Sequence, residues 1–211
     1  MFGDGSLSIR EFAMREPLPL ATIHDAVLAF LRGRTDAVLF GAQAVNAYVD
    51  ESRMTQDVDL LSLRALDLAG EIREFLQNRF HVAIRVREVA DGKGFRVYQA
   101  AMPKNRQLVD VRAVAVLPPF NAIDNVLVAA PAELIAQKVI AAFGRKGQPK
   151  SFTDQRDLAI LLLRFPELKS HTGPVHDRLI VSAASAGAMA LWADLAGGPD
   201  VPPADEADEF R

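Results

Sequence analysis

Apolar residues recur at helical intervals from Leu20 to Leu31, with Ile23, Val27, Phe30 and Leu31 on one side and Gly33 just beyond. That spacing predicts an amphipathic helix, with Thr22 as its cap and Asp25 three residues on. Ala37, Val38, Leu39 and Phe40 form a wholly apolar run that stops at Gly41, and the pattern predicts a short buried strand opening into a helix over 42–49. Alternation around Asp57 and Asp59 predicts a strand over 54–63, and Leu66, Ala69, Ile72, Phe75, Leu76 and Phe80 predict a long amphipathic helix over 65–80. Strands are expected at 82–89 and 94–100, joined by the turn Asp91-Gly92-Lys93, then at 108–116 and 126–129. Pro131 suits the first turn of a helix over 131–143. A basic loop (144–150), a helix over 151–165 capped by Ser151 or Thr153, and an alanine-rich helix over 175–195 follow.

The fold class expected from this order is α/β (α+β), a mixed sheet flanked by helices with a C-terminal helical half. The divisions are a core over 20–130, a helical region over 131–196 and an acidic tail over 197–211. With 211 residues, half of them hydrophobic, the chain is of a size for one such domain with a helical annex. It contains no cysteine, which removes disulfides, thiolate metal sites and cysteine nucleophiles. No apolar run is long enough to span a bilayer, and residues 1–12 lack a basic stretch followed by an apolar core, so a cytoplasmic protein without membrane partners is expected. The net charge of −3 provides no global attraction for nucleic acid. Locally, however, eight basic residues lie between Arg79 and Arg112. Among the 4 histidines only His171 and His176 sit near ligand spacing, around a Gly-Pro turn.

The chemistry concentrates between Phe40 and Leu60. Alternate residues of a strand project together, so Asp57 and Asp59 should share a face with Val58 and Leu60 opposite. Two such carboxylates repel unless a cation joins them or one is protonated, and Mg²⁺ favours such oxygen ligands together with substrate phosphates. Asp110, flanked by Leu108, Val109 and Val111, is a charge in an apolar strand that needs a partner or a metal. Asp57, Asp59 and Asp110 are therefore the candidate metal ligands. Gly41 offers a turn without a side chain where backbone N–H groups can meet phosphate. Thr55, on the side of Asp57, carries a hydroxyl that suits the same task.

Gly41-Ala42, followed by Arg53-x-Thr55-x-Asp57-Val58-Asp59-Leu60, resembles the signature of the polymerase-beta-type nucleotidyltransferase superfamily, and within it the AbiEii/MenT-like toxins of bacterial toxin–antitoxin systems. The resemblance extends over about residues 35–165 through Asp110, Lys138, Arg145, and Asp154 with Asp157. It departs at Ala42, where the family has a second Gly or Ser. It implies a Mg²⁺ (or Mn²⁺) cofactor and a nucleoside triphosphate substrate. Asp57, Asp59, Asp110, Lys138 and Asp154 would be catalytic, and Gly41, Ala42, Arg53, Thr55 and Lys138 would bind the nucleotide. Asp154 is favoured over Asp157 for the site, Asp157 serving equally as a partner of Arg156 or a helix-packing acid. Lys138 reads on its own as a lysine reaching out from a core helix. The resemblance further implies tRNA as acceptor and a cognate antitoxin as partner. A protein hydroxyl, a small aminoglycoside-like acceptor, or a catalytically silent binding module are the alternative readings.

Overall fold

The computed structural model describes residues 19–101 and 104–198. The expected acidic tail lies outside the described residues, apart from Gly197 and Gly198. In chain order the elements are α1 (Leu20–Leu31), β1 (Ala37–Phe40), α2 (Gly41–Asn46), β2 (Val58–Ser62), α3 (Ala65–Phe80), β3 (Ile84–Val89), β4 (Gly94–Gln99) and β5 (Arg106–Ala113). There follow β6 (Phe120–Ile123), β7 (Val126–Ala129), α4 (Pro131–Gly144), α5 (Pro149–Arg164), a single 3-10 turn (Pro166–Leu168), α6 (Pro174–Val181) and α7 (Ala186–Gly197). The seven strands form one sheet in the order β3-β4-β5-β2-β1-β7-β6. It is mixed: β2 runs parallel to β5, whereas β3, β4 and β5 are antiparallel neighbours. The α/β class expected from the sequence is the one observed.

Contacts along the chain gather into two units. The first comprises, of the described residues, 19–39, Met54–Leu117 and Ala122–Leu127. Its core is one face of β2, β4 and β5. Val58 and Leu60 stand in register with Val109 and Val111, which in turn face Val97 and Phe95, and all six side chains are buried. Helix α3 covers this layer with Leu68, Ala69, Ile72 and Leu76. Each buried leucine or isoleucine of that stripe contributes about 1.5–3 kcal/mol. Helix α1 packs on α3, with the Phe30 and Phe75 rings 5.1 Å apart.

The second unit comprises Phe40–Arg53, Pro118–Asn121 and, of the described residues, 128–198. Helix α4 is its centre, with α5, α6 and α7 packed around it and Leu134, Ile135, Val139, Leu158, Leu161, Leu179 and Trp192 buried. Proline opens α4, α5 and α6, the helical position where its missing N–H costs nothing.

Several boundaries differ from expectation for local reasons. Helix α5 starts at Pro149, so Ser151 is not a cap; it lies inside the first turn, buried, with its hydroxyl on the Ala142 carbonyl. Thr22 does not cap α1 either, whose N-cap is Pro19. The single helix expected over 175–195 is two, broken where Ala183 takes a positive φ of 49° and restarted by Ser185, whose hydroxyl accepts from the Ala188 N–H. Strand β2 is shorter than 54–63 because the Thr55 hydroxyl bonds the Asp57 carbonyl, a local alternative to the ladder. Strand β6 was not expected. Its residues are mostly exposed and follow Pro118-Pro119, so periodicity does not reveal it. It pairs with β7 across Asp124-Asn125, both at positive φ, the geometry of a tight hairpin turn.

Candidate active site

Within the first unit, β2 and β5 lie side by side in parallel, and the register sets Asp59 against Asp110. Alternation then turns Val58, Leu60, Val109 and Val111 into the core and both carboxylates to the other face. Asp57 lies in the bend just before β2, two residues from Asp59. Asp110 is buried; Asp57 and Asp59 are half-buried. The Arg112 guanidinium stands 3.7 Å from the Asp110 carboxylate.

Gln107 belongs to this group and has no signature in the sequence. Its Nε2 donates to Asp57 Oδ2 at 2.6 Å. The cause is a register shift: Val97 pairs with Val109, but Tyr98 pairs with Gln107, leaving Leu108 as an extra residue in β5. Such a bulge re-aims a side chain that strict alternation would send to the core. His24 of α1 is buried, with its Nε2 making no hydrogen bond. Burial lowers its pKa, and the neighbouring Gln56 carbonyl and Asp57 only partly offset that.

Among the described residues no three His, Asp or Glu side chains are gathered closely enough to hold an ion as they stand. The donor chemistry is oxygen throughout, the kind a hard divalent cation takes: Asp59 and Asp110 are in register on adjacent strands, and Asp57, two residues upstream, is bonded by an amide.

The second unit holds the other candidates. Gly41 opens α2 with a φ of 69°, a conformation that side-chain-bearing residues rarely take, and Ala42 follows in the first turn. Lys138 on α4 is buried, with its ammonium 3.2 Å from Asp154 Oδ1 and 2.7 Å from Asp157 Oδ2. Asp154 also accepts from Arg145 Nη1 at 2.6 Å. Asp157 accepts from Arg53 Nε and Nη2, both at 2.9 Å, in a fork-to-fork pair. Arg53 is itself bracketed by Asn46, whose amide bonds both its backbone N–H and its carbonyl. Burial alone pushes the Asp157 carboxyl up, but the hydrogen bonds from Arg53 and the charge of Lys138 outweigh it and hold it below the ordinary carboxylate range.

The expected residues thus fall into two sets. Asp59 is in register with Asp110, and Asp57 is bonded by Gln107 and, at its carbonyl, by Thr55, while Arg53, Lys138, Arg145, Asp154 and Asp157 form an ion cluster. Asp157 is a full member of that cluster, touching Arg53, Lys138 and Arg156, alongside Asp154, the acid favoured on the resemblance. His171 and His176 join neither set.

No family model and no curated protein sequence matches the chain. Its fold is shared with solved structures. It resembles the polyadenylate synthase of Megavirus, with a TM-score of 0.58 and 11% identity, over 73% of this chain and 34% of that one. It resembles JHP933 of Helicobacter pylori, with a TM-score of 0.56 and 18% identity, over 84% and 76% of the two chains. A second H. pylori protein, classed as a nucleotidyltransferase, matches with a TM-score of 0.51 and 16% identity over 90% and 93%. The chain spans only about a third of the Megavirus enzyme. At these identities the likeness is one of architecture.

Proposed function

We propose that the protein is a Mg²⁺- or Mn²⁺-dependent nucleotidyltransferase that moves a nucleotide from a nucleoside triphosphate to an acceptor hydroxyl. The observation that carries this reading is the register of Asp59 against Asp110 on adjacent parallel strands, with Asp57 two residues upstream. Like charges directly opposite in a sheet are unfavourable, and a site that maintains them is suited to a cation. The fold shared with a polyadenylate synthase supports the same reaction class.

Asp57, Asp59 and Asp110 would hold the ion, which when bound supplies positive charge to the triphosphate oxygens. Gln107 orients Asp57. Asp110 takes the proton of the acceptor hydroxyl as its oxygen bonds the α-phosphorus, and the bond from that phosphorus to the bridging oxygen breaks, releasing pyrophosphate. Gly41 and Ala42 at the start of α2, Thr55, Arg53 and Lys138 are the residues assigned to the triphosphate, and Asp154 is assigned to fixing Lys138.

The narrower reading, a toxin of a bacterial toxin–antitoxin pair that acts on tRNA in the cytoplasm, is supported by the Arg53-x-Thr55-x-Asp57-Val58-Asp59 signature. Among the described residues no helix is long and apolar enough to cross a membrane. Incubation with each labelled triphosphate, Mg²⁺, total RNA and total protein tests the whole proposal. Label is expected in the tRNA fraction with wild type and in no fraction with Asp57→Ala. Label confined to protein would replace the acceptor, and equal labelling by Asp57→Ala would remove the assigned role of that carboxylate.

A further inference from the structure

The sheet face that carries the carboxylates has a second, opposite pole. In one row across the strands, Asp59 stands in register with Asp110, Asp110 with Arg96, and Arg96 with Arg87. In the next row the Asp57–Gln107 hydrogen bond continues through Tyr98, opposite Gln107, to Arg85, opposite Tyr98. Both rows therefore begin in acid on or beside β2 and end in arginine on β3. Three strand spacings separate their ends, roughly 14 Å.

The basic pole is not balanced from within. Arg87 and Arg96 oppose each other directly, an arrangement that weakens a sheet. Among the described residues Arg85, Arg87 and Arg96 have no carboxylate partner; Arg85 and Arg87 are exposed, and Arg96 Nε is buried without a hydrogen bond. The acid on that part of β3, Glu88, falls on the other face, opposite Phe95. Tyr98, half-buried, sits between the two poles.

We infer that this face is the track of a single-stranded polynucleotide acceptor, with its terminal hydroxyl at the carboxylates, a base stacked on Tyr98, and preceding phosphates on Arg96, Arg87 and Arg85. The inference rests on the transferase reading above and specifies its substrate. Arginine guanidiniums suit phosphate oxygens, an aromatic ring accepts any base face, and a span of this length covers several phosphates of a strand. A duplex would present its bases already stacked, leaving Tyr98 nothing to engage.

The test measures binding without turnover. Fluorescence anisotropy follows labelled RNA and DNA single strands about 12 nucleotides long, within the site sizes of single-strand binders, and a duplex of equal length, over a salt series and without triphosphate. Wild type is expected to bind the single strands and to discriminate against the duplex. Arg85→Gln/Arg87→Gln should weaken binding by about tenfold or more and flatten the log–log salt slope by about 1.4, two contacts at about 0.7 each. Tyr98→Leu should cost about fivefold or more without changing that slope. Arg79→Gln on α3 should change nothing. In parallel, the melting shift given by Mg²⁺ with triphosphate should be the same in Arg85→Gln/Arg87→Gln as in wild type, which also reports that the variant is folded.

Equal binding by wild type and the double variant, equal binding of duplex, or no binding of strands by a wild type that still responds to triphosphate would each overturn the track while leaving the transferase reading intact. Strand binding without any triphosphate response would overturn the acceptor assignment. Preference for RNA over DNA, or none, decides whether the 2′-hydroxyl is read.

Discussion

Two groups of acids in this chain meet opposite fates. In the helical unit, Asp154 and Asp157 are both buried, and Lys138, Arg145 and Arg53 approach them to between 2.6 and 3.2 Å. In the sheet unit, Asp59 and Asp110 are set against each other by strand register, and an amide and a more distant guanidinium attend the group. The same residue type is locked into ion pairs in one place and set like against like across a strand pair in the other. Burial demands compensation within the protein, and the helical unit supplies it with three cations. The contrast predicts that the first pair matters most for stability and the second for the proposed transfer.

The largest effect should follow from breaking the first group. Asp157→Ala leaves Lys138 and Arg53 without their shared partner, and a loss of about 3–5 kcal/mol is expected, read as a melting point lower by about 10 °C. Asp59→Asn should do the reverse: stability within about 0.5 kcal/mol of wild type, with nucleotide transfer reduced by at least about a hundredfold as charge stabilisation is lost. If Asp59→Asn melted early while Asp157→Ala did not, the division of roles would be inverted. A smaller effect is expected from Gln107→Leu, which releases Asp57: the Mg²⁺ concentration for half-maximal transfer should rise about tenfold, with folding unchanged.

The smallest effect is in acid. Since the folded Asp157 carboxyl lies below its ordinary value of 3.8, its stabilisation is complete above that value and is lost as pH falls through the lower, folded value. Asp157→Asn has no such proton to take up, so its stability should fall less steeply below pH 3.8 than that of wild type. Parallel acid limbs in urea titrations of the two proteins would contradict this.

Much of this was legible in the sequence. The wholly apolar strand Ala37–Phe40, which is buried at every position, and the helix Ala65–Phe80, which buries one apolar stripe, follow from short-range pattern. Gln107 was not legible, because its direction depends on a bulge created by pairing with β4, a strand apart in the chain. Nor was the choice between Asp154 and Asp157. Both follow helical spacing on α5, and only the positions of Arg53 and Lys138 show that both are engaged. The break at Ala183 was hidden by alanine on either side, although Ser185 marked the restart.

The parallel pairing of β2 with β5 also fixes an order in time. Strands β3 and β4 lie between Asp59 and Asp110 along the chain and on the far side of β5 in the sheet. During synthesis the chain carries one half of its acidic pair long before the other leaves the ribosome. Contacts so distant along the chain close slowly. The acidic pair is therefore complete only once the chain through β5 has been made, about fifty residues after Asp59.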